Sequence, residues 1–172
     1  MGILVAGILI ITTFLVTSSV MFATILSGSV EQTQALKELG AINKRFAGSA
    51  LNITSAVVDT PDGGDVTVVV NNTGSESVFD FGGMDVVIRY TDVSDITRIT
   101  YLTFNSVSAG ENEWTVPTTG VQPDSFNPNA WDSDEVLTID IQVNPLIKSG
   151  TAAQVVVGTP YGVADQSDLT NP

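Results

Sequence analysis

Asp59, Asp62 and Asp65 stand at every third position around the turn Pro61-Asp62-Gly63-Gly64. Carboxylate oxygens gathered in a glycine-containing loop are the hard ligands that Ca2+ takes. The spacing is not that of an EF-hand loop. The same residues also make an ordinary acidic turn, because Asp and Gly accept turn backbone readily. The turn is the reading adopted, and these three aspartates are retained as the metal-ligand candidates; no metal or cofactor is expected. Asp132, Asp134 and Glu135, ahead of another strand-like stretch, read in the same way, as solvated acids. Asn52-Ile53-Thr54 and Asn71-Asn72-Thr73 match the acceptor tripeptide for N-linked glycans. Asn71 is the better candidate, since it is expected to open a turn, whereas Asn52 lies near a helix-to-strand junction.

Much other chemistry is excluded by composition. The 172 residues include no Cys and no His. There is therefore no thiolate nucleophile, imidazole base, Ser-His-Asp triad or disulfide, and no ordinary zinc site. Six basic residues against 19 acidic ones leave little to neutralise phosphates, so nucleic acid is not an expected partner. So many acids always supply carboxylate pairs, but no two are marked as an acid/base site. The chain is not expected to be an enzyme.

The elements that must carry these residues follow from the distribution of charge. Residues 1–30 hold no charged side chain, and residues 51–172 hold 17 acidic ones against only Arg89, Arg98 and Lys148. Ile3–Leu26 is an unbroken apolar run without Pro, which as a helix reaches about 36 Å, enough to cross a bilayer core. No basic flank precedes it, so a basic leader is expected to have been removed, with Met1 at or near the mature start. Beyond the run, Leu36, Leu39, Ile42 and Phe46 recur at spacings of three and four, one face of a continuing helix that ends near Gly48-Ser49. A helix on the order of 70 Å is longer than a membrane requires. An apolar stripe carried past the interface calls for partner helices. Leu36, Leu39, Ile42 and Phe46 are thus the expected assembly face.

From Leu51 the pattern changes to short stretches rich in Val, Ile and Thr between turn clusters. Seven strands are expected: 52–59, 65–71, 84–91, 96–104, 113–116, 135–143 and 152–159. In VLTIDIQV, Leu137, Ile139, Ile141 and Val143 face inward; in MDVVIRY, Val86, Ile88 and Tyr90 do. Residues 117–134, with three prolines, read as a long connecting loop. The fold class is α+β: a long N-terminal hydrophobic α-helix, residues 1–50, followed by an immunoglobulin-like antiparallel β-sandwich, residues 51–172.

This order of features resembles a known family. The uncharged helix leads into VTVVVNNTGSESV (Val66–Val78), then WDSDEVLTIDIQV (Trp131–Val143), then LIKSGTAAQVVVGTPYGV (Leu146–Val163). It is similar to archaellin, the archaeal-type flagellin, and to type IV pilin-like filament subunits. In that family a strand ends in a similar Asn-Thr-Gly-Ser turn, and the last strands lead into a Thr-Pro-x-Gly-Val-like segment. Counted from Met1, the fifth position is Val5 rather than the Glu usual in bacterial pilins, which favours archaellin. The resemblance implies a structural subunit of a motility filament, a helical homopolymer built by packing N-terminal helices. It also implies a prepilin-type peptidase, motor and assembly machinery as partners, a membrane-inserted state before assembly, and an extracellular location afterwards. The alternatives are a pilin or minor pilin-like adhesion or stator subunit with the same architecture, or a single-span membrane-anchored β-sandwich that binds a ligand.

Overall fold

A single helix, α1 (Gly2–Gly48), begins the computed structural model, which describes residues 2–172. Met1 and the side chains of residues 3–5 lie outside that description, and with them the readings of Met1 as the mature start and of Val5. The chain divides into two compact units, the second of which is Arg45–Pro172. In α1 the run 8–26 is rich in Leu, Ile and Val and lacks Pro. Its threonines and serines turn their hydroxyls back onto the carbonyl one turn earlier: Thr13 donates to Leu9 O at 2.7 Å, Thr17 to Thr13 O at 2.7 Å and Ser19 to Leu15 O at 2.8 Å. That leaves few polar groups in need of water.

The second unit is built from nine strands: β1 (Leu51–Val58), β2 (Asp65–Asn72), β3 (Asp85–Thr91), β4 (Thr97–Phe104), β5 (Glu113–Thr115), β6 (Val121–Gln122), β7 (Val136–Gln142), β8 (Gln154–Gly158) and β9 (Ala164–Asp168). The seven expected strands are all present, displaced by no more than a residue or two at either end. Two more appear: β6, which pairs with β7 inside the supposed loop, and β9, whose sequence Ala-Asp-Gln-Ser-Asp has no β-branched residue and forms only because β8 offers a free edge.

The strand order is β1-β2-β7-β5-β4-β3-β8-β9. All pairings are antiparallel except β4 with β5, which run parallel over Thr103–Glu113 and Phe104–Trp114; the expected all-antiparallel sandwich is broken at the seam where the chain changes sheet. At the opposite seam, Val58 N–H donates to Thr170 O at 2.9 Å and Thr170 N–H to Ala56 O at 2.8 Å, so β1 is not left as a bare edge. Ile53 N–H there donates to the Asp165 carboxylate at 2.9 Å.

Alternation fills the space between the layers. Val66, Val68 and Val70 of β2, Val86 and Ile88 of β3, Leu137 and Ile139 of β7, and Val155 and Val157 of β8 are all buried, each large apolar side chain contributing roughly 1.5–3 kcal/mol. Trp114 and Trp131 are fully enclosed among them.

One carboxylate is buried in the turn after β3. Asp92 Oδ1 accepts the N–H groups of Ser94 at 2.8 Å and Ile96 at 3.0 Å, while Oδ2 accepts Arg98 Nε at 2.8 Å. The Ile96 amide first, then the Arg98 side chain and the Ser94 amide, hold its pKa below the ordinary carboxylate range against the opposing effect of burial. Such a group stabilises the fold fully above its unfolded-state value, and that stability is lost as pH falls through the lowered folded value. We expect the melting temperature to be nearly flat from pH 8 to about 5 and to drop below about pH 4. Asp92→Asn should melt lower at neutral pH and show a shallower acid decline; a profile unchanged from the parent would remove Asp92 from this role.

Candidate functional site

With no catalytic cluster in view, the candidate site is the surface of α1 and the structure that ends it. Ile8–Leu26 presents large apolar side chains on every side: Ile10 is 70% exposed, Phe14 71% and Phe22 65%. The helix is long and apolar enough to cross a membrane, with mean hydropathy 2.2 over its most apolar 18 residues. A helix that is apolar all round belongs in lipid or among other helices. Further along, Leu36, Leu39, Ile42 and Phe46 are exposed, while Lys37, Lys44 and Arg45 fall on the other arc of the helical repeat. These four side chains are therefore available for contact, as an assembly face requires.

The last turn of α1, within the second unit, is clamped. The Gly48 carbonyl accepts the N–H groups of Ser75 at 2.7 Å and Glu76 at 3.2 Å, and Ala50 O accepts those of Thr73 and Gly74 at 3.0 Å each. Carbonyls that a helix end leaves open are thus satisfied by the Asn72–Ser75 turn. Asn72, buried, shapes that turn: its Oδ1 accepts Gly74 N–H at 3.0 Å and its Nδ2 donates to Glu76 O and Trp131 O. From another direction come Thr159, hydrogen-bonded side chain to side chain with Ser49 at 3.2 Å, and Tyr161, whose ring lies 5.8 Å from the Arg45 guanidinium carbon and whose hydroxyl donates to Ser77 O at 2.9 Å. The two segments that carried the family resemblance, Asn-Thr-Gly-Ser and Thr-Pro-x-Gly-Val, meet here. Their separation in sequence concealed the joint; each taken alone looked like a turn.

The other candidates are scattered. Asp62 Oδ1 accepts Ser149 N–H at 2.8 Å, Asp59 accepts the Thr67 hydroxyl at 3.2 Å, and Asp65 accepts from Gln142. Asp62 has φ of 49°, the left-handed turn geometry that aspartate tolerates. Among the described residues no group of three or more acids is gathered to hold a metal ion. Asn71 does not open a turn: it lies within β2, half-buried, with Oδ1 enclosed and unpartnered. Asn52, on β1, is the exposed one. Asp132 and Glu135 also depart from expectation, since both are buried. Glu135 accepts Asp132 N–H at 2.9 Å and Ser125 N–H at 3.2 Å, and its backbone carbonyl accepts Trp131 Nε1 at 2.8 Å. The Ser77 hydroxyl and Asn127 hold the Asp132 carboxyl below its usual range. These acids order the 117–134 segment rather than face water.

Residues 47–165 match the family described as conserved flagellar protein F, immunoglobulin-like domain. The chain belongs to this family. No curated protein matches the sequence. Among solved structures, the archaellum periplasmic stator protein FlaG from Sulfolobus acidocaldarius is 18% identical, with 70% of this chain and 98% of that one covered at a TM-score of 0.51. The archaeal flagellum of Methanospirillum hungatei strain JF1 is 13% identical, covering 95% and 90% at 0.63. Archaeal flagellin FlaB1 from Methanocaldococcus jannaschii is 13% identical, covering 72% and 90% at 0.51. At these identities the structures establish the fold alone, and the Methanospirillum match, at 95% of this chain, extends over the helix as well as the immunoglobulin-like sandwich. Family membership makes this protein F-type chain a structural, archaellum-associated component and not an enzyme. The expected archaellin is thereby supported only at the level of the archaellum-related class, since the matching family is that of protein F.

The clamp makes a direct prediction. A Cβ added at Gly74 would sit 2.4 Å from both Ala50 N and Gly48 O, which are backbone atoms that cannot yield cheaply. Gly74→Val should cost about 1–3 kcal/mol or more, seen as a lower melting temperature and faster proteolysis around residues 48–50. Gly48→Ala meets only the side chains of Glu76 and Ser75 and should be milder. Equal behaviour of the two variants would contradict the clamp.

Proposed function

We propose that this chain is a membrane-held structural component of the archaellum of the stator type. Residues 1–50 serve as the membrane and assembly helix and residues 51–172 as a load-bearing module on the outer side. The observation that carries this reading is the match of the sandwich to protein F, joined to a helix whose large apolar side chains from Ile8 to Phe46 are exposed. Its mechanism is mechanical. The span anchors the chain, the Leu36, Leu39, Ile42 and Phe46 face packs against neighbouring helices, and force reaches the sheets through the backbone bonds at Gly48 and Ala50. Acids on the outer body keep it soluble beside similar surfaces.

A second reading is a filament subunit, a helical homopolymer with α1 in its core, processed by a prepilin-type peptidase. Its support is the likeness to the Methanospirillum flagellum, which extends over α1 as well as the sandwich. Shearing separates the two. In cells carrying the tagged chain, the stator reading places it with the cell envelope after filaments are removed. Recovery of most of it in the sheared filaments would establish the second reading instead.

Both readings require the stripe. Leu39→Asp or Phe46→Asp sets a charge in a dry helix contact, at several kcal/mol per copy. The variants should still enter the membrane, because residues 8–26 are untouched, but should lose co-purification with neighbouring copies or archaellum partners and impair swimming. Normal assembly and motility in both would show that this face stands free. On the outer body, Asn52 should carry glycan in native material more often than Asn71, its side chain being open to solvent. Mass spectrometry finding Asn71 modified and Asn52 bare would reverse that order.

A further inference from the structure

Two concavities on the second unit adjoin and share one wall, Val107, Pro117 and Thr118. The first, about 600 Å3, lies on the outer side of β2, β7 and β5 and is lined by Asp59, Asp65, Asp140 and Thr115. The second, about 330 Å3, is lined by Phe81, Phe104, Val116 and Val121, with Asp124 at its rim. One arm of the groove is thus acidic and the other apolar.

The acidic arm is left unsatisfied by its own chain. Across the sheet Asp140 pairs with Thr67 on one side and Thr115 on the other. The Thr67 hydroxyl is turned to Asp59 instead. The Thr115 hydroxyl, on a side chain 6% exposed, has no partner. No donor among the described residues is aimed at the Asp140 carboxylate. Burial, and then the charge of Asp59, push the pKa of the Asp140 carboxyl above the usual carboxylate range, as expected for a carboxylate without a counter-charge. No cation lines either arm. Of the three in the strand region, Arg98 is paired with Asp92 and Lys148 with Asp95, and Arg89 lines a separate cleft beside Gln154 and Asp168. The oxygens are not gathered as a metal cage, and the apolar arm has no use in ion binding.

We propose that this groove binds an extended segment of a partner polypeptide carrying a Lys or Arg next to a bulky apolar side chain. The cation lies against Asp59 and Asp140. The apolar group enters between Phe104 and Val116. This goes beyond the structural role proposed above and does not depend on which of its two readings holds.

The test uses the full chain in nanodiscs of zwitterionic lipid, where the bilayer does not attract the probe. The probe is a fluorescent peptide, Gly-Lys-Phe-Leu-Gly, with Gly-Glu-Phe-Leu-Gly as its opposite. Phe104 packs on Trp114 with ring centroids 4.7 Å apart, so tryptophan emission reports filling of the apolar arm alongside peptide anisotropy. The lysine peptide should bind saturably, the glutamate peptide should not, and Asp59→Asn with Asp140→Asn should weaken binding about tenfold, the loss of one charge-assisted contact. Thr118→Lys, an exposed change in the shared wall, should block binding, and Asp168→Asn, outside the groove, should not. Overturning results are equal binding of both peptides, no saturable binding at millimolar concentration, or indifference to the Asp variants in chains that melt normally. Saturable Ca2+ binding that the lysine peptide does not compete with would make this an ion site and overturn the proposal equally.

Discussion

The carbonyls of Gly48 and Ala50 are where a helix stops and a sheet begins, and the second unit is arranged to satisfy them. A helix end leaves its last carbonyls open, and within a packed protein an open carbonyl is costly. Here the amides of Ser75 and Glu76 close the one at Gly48, and those of Thr73 and Gly74 close Ala50 just past the helix. That requires a turn held by Asn72, and Asn72 in turn holds Trp131 and Glu76. Gly74 is required because any Cβ would meet the backbone of residues 48–50. Through Trp131 and Glu135 the same network orders the segment between β6 and β7.

The acidic residues separate into two populations. Asp92, Asp132 and Glu135 are buried and furnished with amide or side-chain donors, so their charge is used internally to set turns. Asp59, Asp65 and Asp140 face a groove with few donors and no cation. The distribution of donors thus leaves this part of the surface without an internal partner.

The helix obeys a different solvent. Its threonines and serines turn back on their own backbone, and its apolar side chains cover the full circumference through Leu26. Past that point the apolar residues narrow to one face and the charges take the other. The change from all-round to one-sided apolarity occurs within one unbroken helix.

The sequence by itself determined the parts governed by local pattern. The charge-free run specified α1, and Gly48-Ser49 its end. Alternation specified seven strands nearly to the residue, because a strand with one buried face must write its period into the chain. Residues whose state depends on distant partners were beyond it. β9 is polar throughout and exists only as the neighbour of β8. The parallel β4–β5 seam depends on how the two sheets close. Asn71 reads as a turn residue but is held in β2 by pairing with Asn52 and Val136. Asp132 and Glu135 read as solvated but are drawn inside by Trp131. The joint at Gly48 and the groove at Asp140 each assemble residues remote in sequence, and hydrogen-bond satisfaction at such places is decided only when the tertiary structure brings donor and acceptor together.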